Sequence, residues 1–265
     1  MLGDNFRQEC EALDQLIAGL GDADFVKVTD FYGWTVRDEV MHLYFLDVMT
    51  LQAIQAESEF LQEVAEIRIW QKTAELSDYM RQRYAGLDHG ALVAAWRESY
   101  CRLSDTFAKS DPKARMKWFG PDMSIVAATS ARQMEVWAHG QDLYDLFGIS
   151  RVNADRIKFI CELGARTYHW TFRNRGLEPP GPAPKLVLTA PSGVIWQWNT
   201  EETAASITGP AAAFAAVVTQ RRHVDDTALI LQGKAAKDWM LLAQCFAGAP
   251  SDGPPARGAA QIVIG

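Results

Sequence analysis

Cysteine is sparse and dispersed in this 265-residue chain: Cys10, Cys101, Cys161 and Cys245 lie far apart, with no CxxC pair among them. That spacing suggests neither a disulfide framework nor a cysteine zinc site, and the four are expected to be buried thiols. Long apolar runs are also missing. No stretch approaches the roughly 18 to 20 residues of a membrane span, and the opening MLGDNFRQEC lacks the basic-then-apolar pattern of a secretory signal. The expectation is a cytoplasmic protein with no membrane partner. Positive charge is short as well. A formal net charge of −7 argues against broad nucleic-acid binding, which rests on a basic surface that displaces counterions from phosphates. No internal repeat is visible.

What is present suits a globular protein of one large or two modest domains: 48% of residues are apolar and 22% charged. The charge is uneven. Residues 1–149 carry a net −10 and residues 150–265 a net +3, which supports two domains. The expected division is a helical domain over 1–150, a small α/β domain over 151–250 and a flexible tail over 251–265, an α+β protein overall.

The first half has helical periodicity. Phe6, Cys10, Leu13, Leu16, Ile17 and Leu20 fall on one face of a helix over 4–20, with Asp4 as N-cap and Gly21 as stop. A second helix starts at Thr35, where Thr-Val-Arg-Asp has capping-box spacing, and runs past His42 into the fifties. Residues 59–87 predict one or two further helices and 90–108 another. A loop, DPKARMKWFGPD, precedes a long helix over about 123–147 that stops at Gly148. After Ser150 the pattern changes. A helix near 152–174 leads into EPPGPAPK, whose four prolines bar regular helix or central strand. KLVLTA and VIWQWN flank Pro191-Ser192-Gly193 as a hairpin, TAASI and TALIL have strand character, Pro210 suits a first helical position, and a last helix covers about 234–247. The small, proline-rich end predicts a poorly ordered tail.

Chemistry concentrates in RQMEVWAHGQDL, where Glu135 and His139 stand four residues apart and project from one helix face. A carboxylate and an imidazole at that spacing can share a metal or form an exposed ion pair. A third ligand must come from another helix. His42 is the best remaining candidate, because its neighbours Val40, Met41, Leu43, Phe45 and Leu46 are apolar and an unpartnered imidazole there is costly to bury. The alternative is a core histidine bonded to a carbonyl. His89, His169 and His223 have no neighbour at ligand spacing.

The segment GWTVRDEVMHL resembles the GWT-V-D-HL segment of the DinB-like superfamily, in particular the N-terminal domain of mycothiol-dependent maleylpyruvate isomerases. GPDMSIVAATSARQMEVWAHGQDLYDLFG resembles the later helix of that domain. The resemblance implies a DinB-like four-helix bundle holding a divalent metal ion, zinc by first expectation, through His42, Glu135 and His139. ITGPAAAFAAVVTQRR and DDTALILQGKAAKDWMLLAQCFAGAP resemble the family's smaller, sterol-carrier-like α/β domain. The match covers most of the chain and, within the family, falls near a branch described only as metal-binding.

Two imidazoles and one carboxylate leave an open fourth position, as in catalytic zinc sites. The resemblance implies a low-molecular-weight thiol as cosubstrate and an enzyme that transfers that thiol to, or isomerises, a small electrophilic substrate. Two alternatives stand beside it: a hydrolase using metal-bound water, and a non-catalytic ligand-binding protein braced by the metal. Asp38 and Asp142 lie within helical reach of the imidazoles as orienting partners, or are solvated surface groups. Arg221 and Arg222 could clamp an anionic substrate, a catalytic role, or simply complement a helix C-terminus. Trp34, Trp118 and Trp137 line a pocket or belong to the core. The protein is expected to act on a small molecule as a monomer or homodimer.

Overall fold

A computed structural model describes residues 2–201 and 204–258. Its contacts divide the chain into two compact units, with the boundary between Ile149 and Ser150. The architecture is α+β: a mostly helical first unit and a second unit built on a mixed four-stranded sheet. No helix among the described residues is long and apolar enough to cross a membrane.

The first unit has four helices that form its bundle, α1 (Asp4–Ile17), α3 (Val36–Gln55), α6 (His89–Lys109) and α7 (Ile125–Leu146), and three others, α2 (Asp22–Phe25), α4 (Glu57–Trp70) and α5 (Leu76–Arg83). The first four pack as a four-helix bundle, α3 against α6 and α7, α1 against α6 and α7. The apolar face read for α1 is buried at Phe6, Cys10, Leu13 and Ile17. It meets Val40, Met41, Phe45 and Met49 of α3 and Trp96, Leu103 and Phe107 of α6 in one core.

The cap of α1 differs from expectation. Gly3, not Asp4, is the N-cap, at φ +96°, a position that favours glycine because a Cβ there would lie 2.7 Å from the Ser104 carbonyl oxygen; Asp4 becomes the first helical residue, where its charge suits the dipole. The cap of α3 is as expected. Thr35 accepts from the Asp38 amide at 3.2 Å and the Asp38 carboxylate accepts from the Thr35 amide at 2.9 Å. The stretch 59–87 resolves into α4 and α5. The loop before α7 contains a two-residue antiparallel pairing, β1 (Arg115–Met116) with β2 (Met123–Ser124).

In the second unit the helix expected over 152–174 is broken into a 3₁₀ turn (Asp155–Ile157), α8 (Lys158–Arg166) and α9 (Tyr168–Asn174). Strands β3 (Lys185–Thr189), β4 (Ile195–Trp198), β5 (Ser206–Pro210) and β6 (Ile230–Gln232) follow in the sheet order β4-β3-β5-β6. β3 and β4 form the antiparallel hairpin expected around Pro191-Ser192-Gly193, and β3 runs parallel to β5. Pro210 is the N-cap of α10 (Ala211–Val218), one residue earlier than read. α11 (Lys234–Leu242) closes the unit and is shorter than the expected helix. Of the segment 251–265 read as a tail, Ser251 accepts from Gln220 and Asp252 pairs with Arg175 at 2.7 Å; residues 259–265 lie outside those described.

Candidate metal centre

His42 stands in the second turn of α3, and Glu135 and His139 one turn apart in α7, so the packing of α3 on α7 brings the three together. Nε2 of His42 lies 3.3 Å from Glu135 Oε2, and Nε2 of His139 lies 3.2 Å from the same oxygen. All three donor atoms fall within 4.8 Å of one another. The side chains are 13%, 23% and 4% exposed in chain order, so the donor set is recessed yet approachable from the Glu135 side.

Two tests show that these residues fit a divalent metal. With metal–donor bonds of about 2.0 to 2.1 Å, neighbouring ligands of a tetrahedral ion sit roughly 3.3 Å apart, which matches both distances to Glu135. Proton bookkeeping agrees. His139 faces carboxylates on both ring nitrogens, with Nδ1 2.6 Å from Glu39 Oε2. A neutral imidazole has one N–H. If that hydrogen serves Glu39, the Nε2 lone pair meets the Glu135 carboxylate, an arrangement satisfied by a cation between them or by a second proton.

Charge balance in the metal-free protein runs the same way. Burial lowers the His42 pKa to about 4, with the charge of His139 adding to the effect, so His42 is a neutral donor at neutral pH. Burial alone would raise the Glu135 pKa, but hydrogen bonds from His139 and His42 outweigh it and hold the carboxyl well below its usual range.

A second acid–imidazole group, Glu39, His139 and Asp142, shares His139. The 2.6 Å between His139 Nδ1 and Glu39 is a hydrogen-bond length, too short to be spanned by an ion with ligands roughly 3.3 Å apart. The Glu39–His139 contact is therefore a hydrogen bond and not a pair of ligands to one ion. Glu39 was not singled out in the sequence, although a signal existed: it lies among Val36, Val40 and Leu43, all buried, and a carboxylate in such a stripe needs a partner.

The two aspartates considered either as orienting partners or as solvated surface groups fare differently, and both are buried. Asp38 is committed to the α3 cap and to Arg81, at 2.9 and 3.0 Å; these bonds outweigh burial and lower its pKa. It is not the partner of His42, whose Nδ1 is buried without a hydrogen bond among the described residues. Asp142 is buried, with Oδ2 4.0 Å from His139 Nδ1, a longer approach than that of Glu39.

Of the three tryptophans considered, Trp34 is at the site. Its ring stacks on His139 at 5.7 Å and 11° and meets His42 at 5.2 Å and 60°. Phe31 approaches His139 edge-on at 5.0 Å. Both come from a tight turn in which Trp34 N donates to the Phe31 carbonyl at 2.9 Å. Tyr32 and Gly33 have φ of +49° and +71°, the positive pair that a type I′ turn requires. Trp118 stacks on Phe60, and Trp137 is 1% exposed in the core.

The remaining candidates belong to other elements. Arg221 and Arg222 follow α10 in the second unit; Arg221 Nη1 donates to the Thr219 carbonyl at 2.9 Å and Arg222 Nη1 to the Arg221 carbonyl at 2.7 Å. His89 begins α6, stacked on Phe25, at a cavity of about 640 Å³ that includes Arg37 and Arg81 but none of the three donors. His169 packs edge-on against Tyr168, and His223 accepts from the Asp225 amide.

Residues 6–144 match the family described as the mycothiol maleylpyruvate isomerase N-terminal domain. An uncharacterized protein of Mycobacterium tuberculosis, from strains CDC 1551/Oshkosh and H37Rv, is 32% identical over 249 residues, covering 94% of this chain and 96% of its own length. Crystal structures of the mycothiol-dependent maleylpyruvate isomerase and of a histidine-to-alanine mutant of it share the fold. Each has a TM-score of 0.55 at 14% identity and covers 88% of this chain and 94% of its own.

Proposed function

This chain belongs to the mycothiol maleylpyruvate isomerase N-terminal domain family, and from that premise we propose that it is a metal-dependent enzyme that transfers a low-molecular-weight thiol to, or with that thiol isomerises, a small electrophilic substrate. The observation that carries this reading is the convergence of two Nε2 atoms on one oxygen of Glu135, at 3.3 and 3.2 Å. Three protein donors leave room for one exchangeable ligand, the pattern of catalytic rather than structural zinc. Zinc is the first metal to test, since imidazole and carboxylate ligands suit it, with nickel and cobalt as controls.

A divalent cation held there supplies the charge that lowers the pKa of a coordinated thiol toward neutrality. The chain's own residues prepare the position. Burial disfavours the charged form of His42, so its imidazole is a neutral donor. Glu135 brings the one negative charge among the donors. Trp34 and Phe31 cover the imidazole faces, which limits water at the reacting atoms and strengthens electrostatic interactions there. Arg221 and Arg222 are proposed to bind the carboxylate of an anionic substrate or thiol, a task suited to guanidinium groups.

The test pairs elemental analysis with a thiol-consumption assay. Purified protein is expected to hold about one divalent metal per chain, lost in His42→Ala and His139→Ala. Mycothiol, named for the related isomerase, is the first thiol to supply, with small α,β-unsaturated acids as electrophiles. Full metal occupancy in the double histidine variant would overturn the metal assignment. Turnover that is equal with and without thiol would replace the transferase reading by a hydrolytic one.

A further inference from the structure

We propose that Glu39, held by Thr29, is the positioning residue that keeps the His139 hydrogen on Nδ1 and so presents Nε2 as a metal donor; this rests on the metal reading above. Glu39 is 1% exposed, and both carboxylate oxygens are engaged, Oε2 by His139 Nδ1 at 2.6 Å and Oε1 by the Thr29 hydroxyl at 2.8 Å. An imidazole paired through one nitrogen with a carboxylate has its tautomer and ring plane set, and its other nitrogen becomes more basic.

The Thr29 hydroxyl has two acceptors in reach, Glu39 Oε1 at 2.8 Å and the Trp34 carbonyl at 3.0 Å, but one hydrogen to give. The Trp34 carbonyl already accepts the Thr29 amide at 2.7 Å. The charged carboxylate is the shorter and stronger acceptor, so the hydroxyl serves Glu39. Thr29 is itself 4% exposed and lies beside the Val28–Thr35 bridge that closes the turn bearing Phe31 and Trp34. The segment that covers the imidazoles thus also orients one of them. Glu39 reaches His139 from α3, the helix of His42, while the hydroxyl holding it comes from the loop before that helix.

The experiment measures zinc affinity by chelator competition in the wild type, Glu39→Gln, Glu39→Ala and Thr29→Val, together with the imidazole ring protons by ¹⁵N-edited NMR. Zinc-loaded wild type should show a downfield, slowly exchanging Nδ1–H on His139. Glu39→Ala should weaken zinc binding toward the upper end of about 10- to 100-fold and Glu39→Gln toward the lower end. The ring proton should move upfield in Glu39→Gln, a change that a purely structural role of Glu39 would not produce. Thr29→Val should weaken binding less than either. If Glu39→Ala does not fold, Glu39→Gln, which keeps the volume, decides. Affinity within about twofold of wild type together with an unmoved ring proton in Glu39→Gln overturns this inference alone. A wild type that takes up no zinc overturns the metal reading and this inference with it.

Discussion

Asp47 and Arg132 form an ion pair inside the bundle, Oδ1 lying 3.1 Å from Nε and 3.0 Å from Nη2, with side chains 0% and 3% exposed. Arg132 also donates to the Leu43 carbonyl at 3.2 Å. The pair ties together α3 and α7, the two helices that hold the metal donors. Burial pushes the Asp47 carboxyl up to about 6 against the pull of Arg132. Removing one partner strands the other charge, so Asp47→Ala should cost about 3 to 5 kcal/mol. The double variant Asp47→Leu, Arg132→Met should cost much less. Urea unfolding checks both, and a loss below about 1 kcal/mol in the single variant would show that the pair contributes little.

Metal removal gives a second expectation. A ligand that binds only the folded state adds about 2.7 kcal/mol at 100 times its Kd, or roughly 5 to 10 °C in melting temperature for a domain of this size. Zinc in excess should raise the melting temperature of the wild type, and a chelator should reverse the rise. His139→Ala should show neither response. An equal rise in that variant would place the zinc elsewhere.

The pH dependence of the metal-free protein carries a sign. His42 has a folded pKa of about 4 against an ordinary 6.5, so the unfolded chain takes the proton first. Its stabilising contribution is whole above pH 6.5 and is lost as the pH falls to about 4. Glu135, lowered well below 4.5, adds a loss of the same sign in more acid solution. Asp47, raised from 3.8 to about 6, acts oppositely between those values. Comparing wild type with His42→Gln removes the shared contribution of Asp47. The stability difference between them should fall steadily from pH 6.5 to 4; a constant difference would refute the lowered His42 pKa.

The arginines after α10 are tested by kinetics. Arg222→Ala should leave metal content unchanged and lower kcat/KM roughly 10- to 150-fold if the guanidinium makes a charge-assisted bond worth about 1.5 to 3 kcal/mol to substrate. Unchanged kinetics would leave Arg222 with its bond to the Arg221 carbonyl at the helix end.

Local signals carried much of the fold. The Thr35–Asp38 capping box, the apolar face from Phe6 to Ile17 and the Pro191-Ser192-Gly193 hairpin are encoded within a few residues, and the structure has all three. The break of the expected helix at 152–174 at Thr167, where α8 ends and α9 begins, was not read, because its one local signal is Gly164 inside the last turn of α8, and an isolated glycine does not by itself end a helix. The capping role of Asp38 was legible, but its tertiary partner was not, for a physical reason. A carboxylate one turn before His42 can turn toward the ring, toward its own helix start or toward a neighbouring chain segment, and Arg81, 43 residues away, decided among them.

The sequence by itself determined the donor types and the one-turn spacing of Glu135 and His139, since helical pitch alone puts i and i+4 on one face. It also placed His42 in an apolar helix. Only the tertiary structure decided that His42 Nε2 and His139 Nε2 meet on the same oxygen of Glu135, and that the buried acid beside His139 is Glu39 and not Asp38. Those outcomes depend on the packing of α3 against α7, where a rotation by one residue, about 100° around the helix, would turn His42 away from the site and leave every local sequence pattern intact.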